Sequence, residues 1–96
     1  MTMLATMEPA FTRDLTRDAI AKWIRDYLQR SLGLSRDAVK DDAYFSDYGV
    51  DSMFAVVMTG DIREWIKKDI SPTALYEYPT VNQLADHVAA LAGARR

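Results

Sequence analysis

A chain of 96 residues with no cysteine and a single histidine is one small domain, and it has no disulfide framework, no thiolate nucleophile and no cysteine or histidine metal cluster. A net charge of −2 argues against nucleic acid as a partner through a basic face. No apolar run approaches a membrane span, and no basic patch leads a long apolar stretch at the N-terminus, so a cytoplasmic protein without a membrane partner is expected.

Residues 1–15 show scattered apolar positions, Pro9 and no clear period. They read as a flexible leader, docked at most through Phe11. A helix is predicted from Arg17 to Leu32 with Thr16 as its cap. Ile20, Trp23, Ile24, Tyr27, Leu28 and Ser31 recur at steps of three and four and form one stripe. Asp18, Lys22, Arg25, Asp26 and Gln29 take the other side, and Gly33 stops the helix. A core face explains the Trp and Tyr stripe better than a ligand box does.

A long connection follows. Ser35 can cap a short turn through Arg36 to Val39, and Leu34, Val39, Tyr44 and Phe45 are expected to pin the loop to the core. Asp37, Asp41, Asp42, Asp47 and Asp51 make the approach to Ser52 acidic. So long a loop in so small a domain usually has a task, here to hold Ser52 at a fixed, exposed place. Gly49 suits a tight approach to a helix, and Asp51 is a strong cap residue. Ser52 then falls at the first helical position, where an attached oxyanion would meet the positive end of the helix dipole.

The second helix is predicted from Ser52 to about Lys67. Ala55, Met58, Ile62, Trp65 and Ile66 share a core face, with Phe54 at its edge. Met53, Val56 and Val57 lie on the other side with Gly60 and Glu64, although Val56 can equally turn inward. The first two turns are therefore apolar nearly all round, which favours an exposed docking strip of Met53, Val56, Val57 and Gly60 beside the serine. Gly60 costs helix propensity, and close packing of another surface would be a reason for it.

Ser71 to Pro79 holds one or two helical turns, with Leu75 and Tyr76 expected inward and Tyr78 pushed out of the helical region by Pro79. Thr80 and Gln83 form a capping box for the last helix. Val81, Leu84, Ala85, Val88, Leu91 and Ala92 make its buried face, and His87 lies off that face with no assigned role. Residues 93–96 form a basic tail. The layout is all-α: three longer helices and one short helix before the last, with the domain spanning residues 16–92.

Gly49-Val50-Asp51-Ser52-Met53 resembles the Gly-x-Asp-Ser-Leu/Met signature of acyl carrier proteins and carrier domains. Thr73-Ala74-Leu75-Tyr76-Glu77-Tyr78-Pro79-Thr80-Val81, followed by Leu84-Ala85, is similar to the Thr-x-Leu-Phe-x-x-Pro-Thr stretch of polyketide and nonribosomal peptide assembly lines. The likeness covers roughly Ala19 to Leu91. It implies a four-helix carrier bundle of the polyketide synthase or nonribosomal peptide synthetase type. In that family the serine carries 4′-phosphopantetheine, which here would be Ser52.

The resemblance further implies a phosphopantetheinyl transferase as partner, using coenzyme A and magnesium, with Asp51 helping to hold the metal in that complex. Acyl intermediates would then ride as thioesters on the arm, passed among an acyl-activating ligase, ketosynthases or condensation-type enzymes of a polyketide, nonribosomal peptide or related lipid pathway. The domain would be a monomer and would not itself be a catalyst. Asp51 favours an acyl over a peptidyl carrier, and Trp65 with Ser71-Pro72-Thr73 looks like carriers associated with fatty acyl-AMP ligases or hybrid assembly lines. Acyl carriers often place an acidic residue where Val57 stands, so an apolar contact would replace their usual acidic recognition.

A helical interaction module without a prosthetic group explains the helices and the strip equally well, but not the Gly-Val-Asp-Ser placement. A hydrolase using Ser52 finds no partners, since nothing in the sequence brings His87 to it.

Overall fold

The computed structural model describes residues 15–94; the proposed leader up to Asp14, with Phe11, and the last two residues of the basic tail lie outside this range. Among the described residues there are four α-helices: α1 Arg17–Leu32, α2 Ser52–Ile66, α3 Ala74–Glu77 and α4 Val81–Ala92. There is no strand among the described residues; Tyr44 and Thr80 form an isolated antiparallel bridge. The all-α expectation of three longer helices and one short one holds.

Local chemistry sets the helix ends. The Thr16 hydroxyl accepts the Ala19 N–H at 3.1 Å and starts α1, and Gly33 ends it at φ 68°, donating to the Gln29 carbonyl. Thr80 starts α4 in the same way, its Oγ1 accepting the Gln83 N–H at 3.1 Å. The reciprocal half of the box differs, because the Gln83 amide oxygen accepts from the Thr80 hydroxyl rather than from its backbone. Lys67 closes α2 in the left-handed region at φ 59° without being glycine, which is why no stop signal is visible there.

The core is one cluster. Ile24, Leu28, Ile62 and Leu84 are fully buried and Phe45 nearly so, which joins α1, α2, α4 and the long loop. Helix α1 packs mainly on α4, and α2 contacts α3. Leu15, assigned to the leader, is buried against this cluster.

Three sequence expectations fail at the edges of the core. Ser31 is exposed at the last turn of α1, where a hydroxyl is best left in water. Tyr44 is exposed, and it is its backbone, through the bridge to Thr80, that ties the loop down. Tyr76 is also exposed, because the single turn of α3 turns only Ala74 and Leu75 inward. Tyr78 takes the aromatic role instead, stacked on His87 with ring centroids 4.1 Å apart.

An aromatic ladder fastens α1 to α2. Trp23 stacks on Trp65 at 4.7 Å and on Tyr27 at 5.1 Å, and Tyr27 meets the edge of Phe54 at 5.9 Å. The Tyr27 hydroxyl donates to Asp61 Oδ2 at 2.5 Å. Partial burial, aided by that hydrogen bond and the Asp61 charge, pushes the Tyr27 phenol up to about 12. A raised pKa means the folded state holds the proton more tightly than the unfolded one. The stabilisation is therefore complete below pH 10 and lost as pH rises from about 10 to about 12. Melting curves of the parent and Tyr27→Phe across that range should converge as the pH rises. A constant gap between them would show that the phenol proton contributes nothing.

Candidate functional site at the start of helix α2

The loop of residues 33–51 is held on both sides. The Phe45 N–H donates to the Pro79 carbonyl at 2.8 Å, and the Asn82 N–H to the Asp41 carbonyl at 2.9 Å. Arg25 Nη1 grips Asp41 through both carboxylate oxygens, at 2.9 and 3.0 Å. The Tyr48 hydroxyl accepts the Lys40 N–H at 2.7 Å. The start of α4 and the flank of α1 thus fix a connection that has only two short 3₁₀ turns, Arg36–Ala38 and Phe45–Tyr48.

Gly49 ends the second turn at φ 82°, its N–H bonded to the Ser46 carbonyl. A side chain would be strained at that angle, so glycine is the residue that lets the chain reverse into α2. Asp51 follows with extended backbone, and its Oδ1 accepts the Phe54 N–H at 2.9 Å while its carbonyl accepts the Ala55 N–H at 2.9 Å. This is the predicted cap. Ser52 is the first helical residue and is exposed, and its hydroxyl makes no hydrogen bond among the described residues.

Three features fit a phosphate-linked arm on Ser52. The hydroxyl is accessible. The first-turn N–H groups and the helix dipole favour an anion there. A mainly apolar cleft of about 120 Å³ opens beside the serine, lined by Phe45, Val50, Ala55, Leu75, Tyr76 and Pro79 together with Ser46. Phe45 and Leu75 read in the sequence only as core, and their share in this cleft depends on the fold that brings them together. Leu75 lies in the Thr73–Val81 stretch, which was the available signal.

The outer face of α2 is apolar near the serine. Met53 is 76% exposed, Val56 53% and Val57 55%, with Gly60 partly covered. Val56, open to either orientation in the sequence, therefore faces outward. Thr59 is buried, unforeseen, with its hydroxyl bonded to the Val56 carbonyl at 2.9 Å. Among the described residues no group of three or more His, Cys, Asp or Glu could hold a metal, and no helix is long and apolar enough to cross a membrane.

The family model described as "Phosphopantetheine attachment site" matches residues 22–88. A phenolphthiocerol/phthiocerol polyketide synthase of Mycobacterium tuberculosis is 40% identical over 68 residues, which are 71% of this chain and 4% of that protein. The chain thus spans a small fraction of the curated relatives it matches. A free-standing peptidyl carrier protein from Acinetobacter baumannii superposes with a TM-score of 0.73 at 28% identity, covering 78% of this chain and 94% of that one. A type-II acyl carrier protein from Streptomyces verticillus, involved in bleomycin biosynthesis, gives 0.68 at 30% identity, covering 77% and 87%.

Proposed function

Because the chain belongs to the phosphopantetheine attachment-site family, it is a carrier for acyl groups on 4′-phosphopantetheine, and we propose that Ser52 bears this arm. The observation that carries the assignment is an exposed serine without a hydrogen-bond partner among the described residues, at the first position of a capped helix and inside the Gly49–Met53 motif. When bound, the arm supplies a terminal thiol, which this cysteine-free chain lacks.

The residues around Ser52 divide the work. Gly49 and the loop contacts hold the hydroxyl at the surface. Asp51 caps α2 with Oδ1, leaving Oδ2 for a transferase-bound magnesium ion. The α2 dipole favours the phosphodiester. The chain is the substrate of a phosphopantetheinyl transferase, and its helical domain, which takes in Leu15 as part of the core, docks in turn with an acyl-activating ligase and ketosynthase or condensation-type enzymes. These place it in polyketide, nonribosomal peptide or related lipid synthesis. Incubation with coenzyme A, magnesium and a promiscuous transferase should raise the intact mass by one phosphopantetheine. An unchanged mass would defeat the reading.

Met53, Val56, Val57 and Gly60 make the docking strip. Val57→Glu should alter stability by no more than about 0.5 kcal/mol, as at other exposed helix positions. Its loading by the acyl-activating enzyme should fall at least tenfold, since an unpaired carboxylate would be buried in an apolar contact. Transferase labelling should persist. Thermal melting and the acylation rate together check this, and unchanged loading would remove Val57 from the interface.

A further inference from the structure

The geometry points to a docking groove on the flank of α2 that takes an apolar side chain with a neighbouring carboxylate from an acidic partner segment. The proposal rests on the carrier reading in one respect, that the segment belongs to an enzyme acting on the arm. The groove, about 120 Å³, is lined by Val56, Thr59, Gly60, Arg63, Ile70 and Pro72. Val56 is one turn from Ser52, so an occupant lies beside the arm's root.

Two observations define what fits. Gly60 sits mid-helix, where glycine is unfavourable, yet a Cβ built there meets nothing within 4 Å. No neighbour within the described chain requires the glycine, and the space it leaves opens on the groove. Arg63 is the one charged residue of the lining, and its guanidinium makes no hydrogen bond or ion pair among the described residues. The nearby Lys67 has Glu64 at 3.9 Å, and the Thr59 hydroxyl is satisfied by the Val56 carbonyl.

The groove therefore offers an apolar wall, a gap over Gly60 and one free guanidinium. A carboxylate can pair with that guanidinium through two parallel hydrogen bonds while an adjacent aliphatic side chain fills the gap. A basic partner would set its cation against Arg63. This reverses the charge sense that the family resemblance implies, in which an acidic carrier helix meets a basic enzyme.

The test uses the ¹⁵N-labelled full chain and two synthetic amphipathic helical peptides. The peptides share one leucine-bearing apolar face and differ only in carrying glutamates or lysines beside it. The glutamate peptide should shift the amides of Val56, Gly60, Arg63 and Ile70 saturably and weaken with salt, and the lysine peptide should bind at least tenfold more weakly. Arg63→Glu should invert that preference. Gly60→Ala should melt no lower than the parent and lose at least tenfold in affinity. Equal binding of both peptides, binding of neither, shifts elsewhere, or variants that bind like the parent would overturn the proposal. So would concentration-dependent shifts at the groove without peptide, which would mark a second copy as the occupant. Ser52→Ala should bind the glutamate peptide unchanged. If coenzyme A labelling fails and this peptide still binds, the carrier reading falls and the groove stands. The converse result removes the groove alone.

Discussion

Ser52→Ala should remain folded and keep its original mass after incubation with coenzyme A, magnesium and a promiscuous transferase, while the parent gains one phosphopantetheine. The effect is all-or-none because the hydroxyl is the nucleophile, and alanine has none. Stability should change by no more than about 0.5 kcal/mol, since the Ser52 side chain is exposed and makes no hydrogen bond among the described residues. Alanine is also well tolerated within a helix. The cap itself belongs to Asp51, so the start of α2 survives the substitution. Intact-mass spectrometry with a parallel melting curve separates loss of the acceptor from loss of the fold. Modification of the variant to the parent's extent would move the attachment site away from Ser52.

Ile62→Ala should bring the domain close to unfolding. Ile62 is fully buried on α2 and shares the core cluster with Ile24, Leu28, Phe45 and Leu84. Removing its outer carbons loses their transfer free energy and leaves a cavity, together about 2–5 kcal/mol. Whole domains hold about 5–15 kcal/mol, and small ones lie toward the lower end. The midpoint of chemical denaturation should therefore drop steeply, and the loss of Ser52 presentation should follow. Val57→Ala, exposed on the opposite side of the same helix, is the control and should melt with the parent. Equal melting of Ile62→Ala and the parent would mean that the α2 core face is misassigned.

The contrast between those two positions shows what could be read before folding was known. Helical period placed Ile62 inward and Val57 outward, because a stripe of apolar residues at three and four residue steps must be buried somewhere. Caps are equally local. Thr16, Asp51 and Thr80 satisfy N–H groups within three residues of themselves, so the starts of α1, α2 and α4 were legible. The attachment motif lies in consecutive residues, which is why Ser52 could be singled out at all.

The sequence by itself thus determined the four helices, most of the core and the serine with its cap, because each depends on neighbours within a turn or two. Tertiary structure decided what depends on distant partners. Tyr78 rather than Tyr76 became the inward aromatic, since His87 on α4 offers its ring. Tyr44 serves through its backbone, since Thr80 lies alongside. Val56 faces outward, and Ile70 and Pro72 come from beyond the end of α2 to form a groove with it, Gly60 and Arg63. A helical wheel holds the angles of one element but not the positions of the others, and grooves exist only between elements.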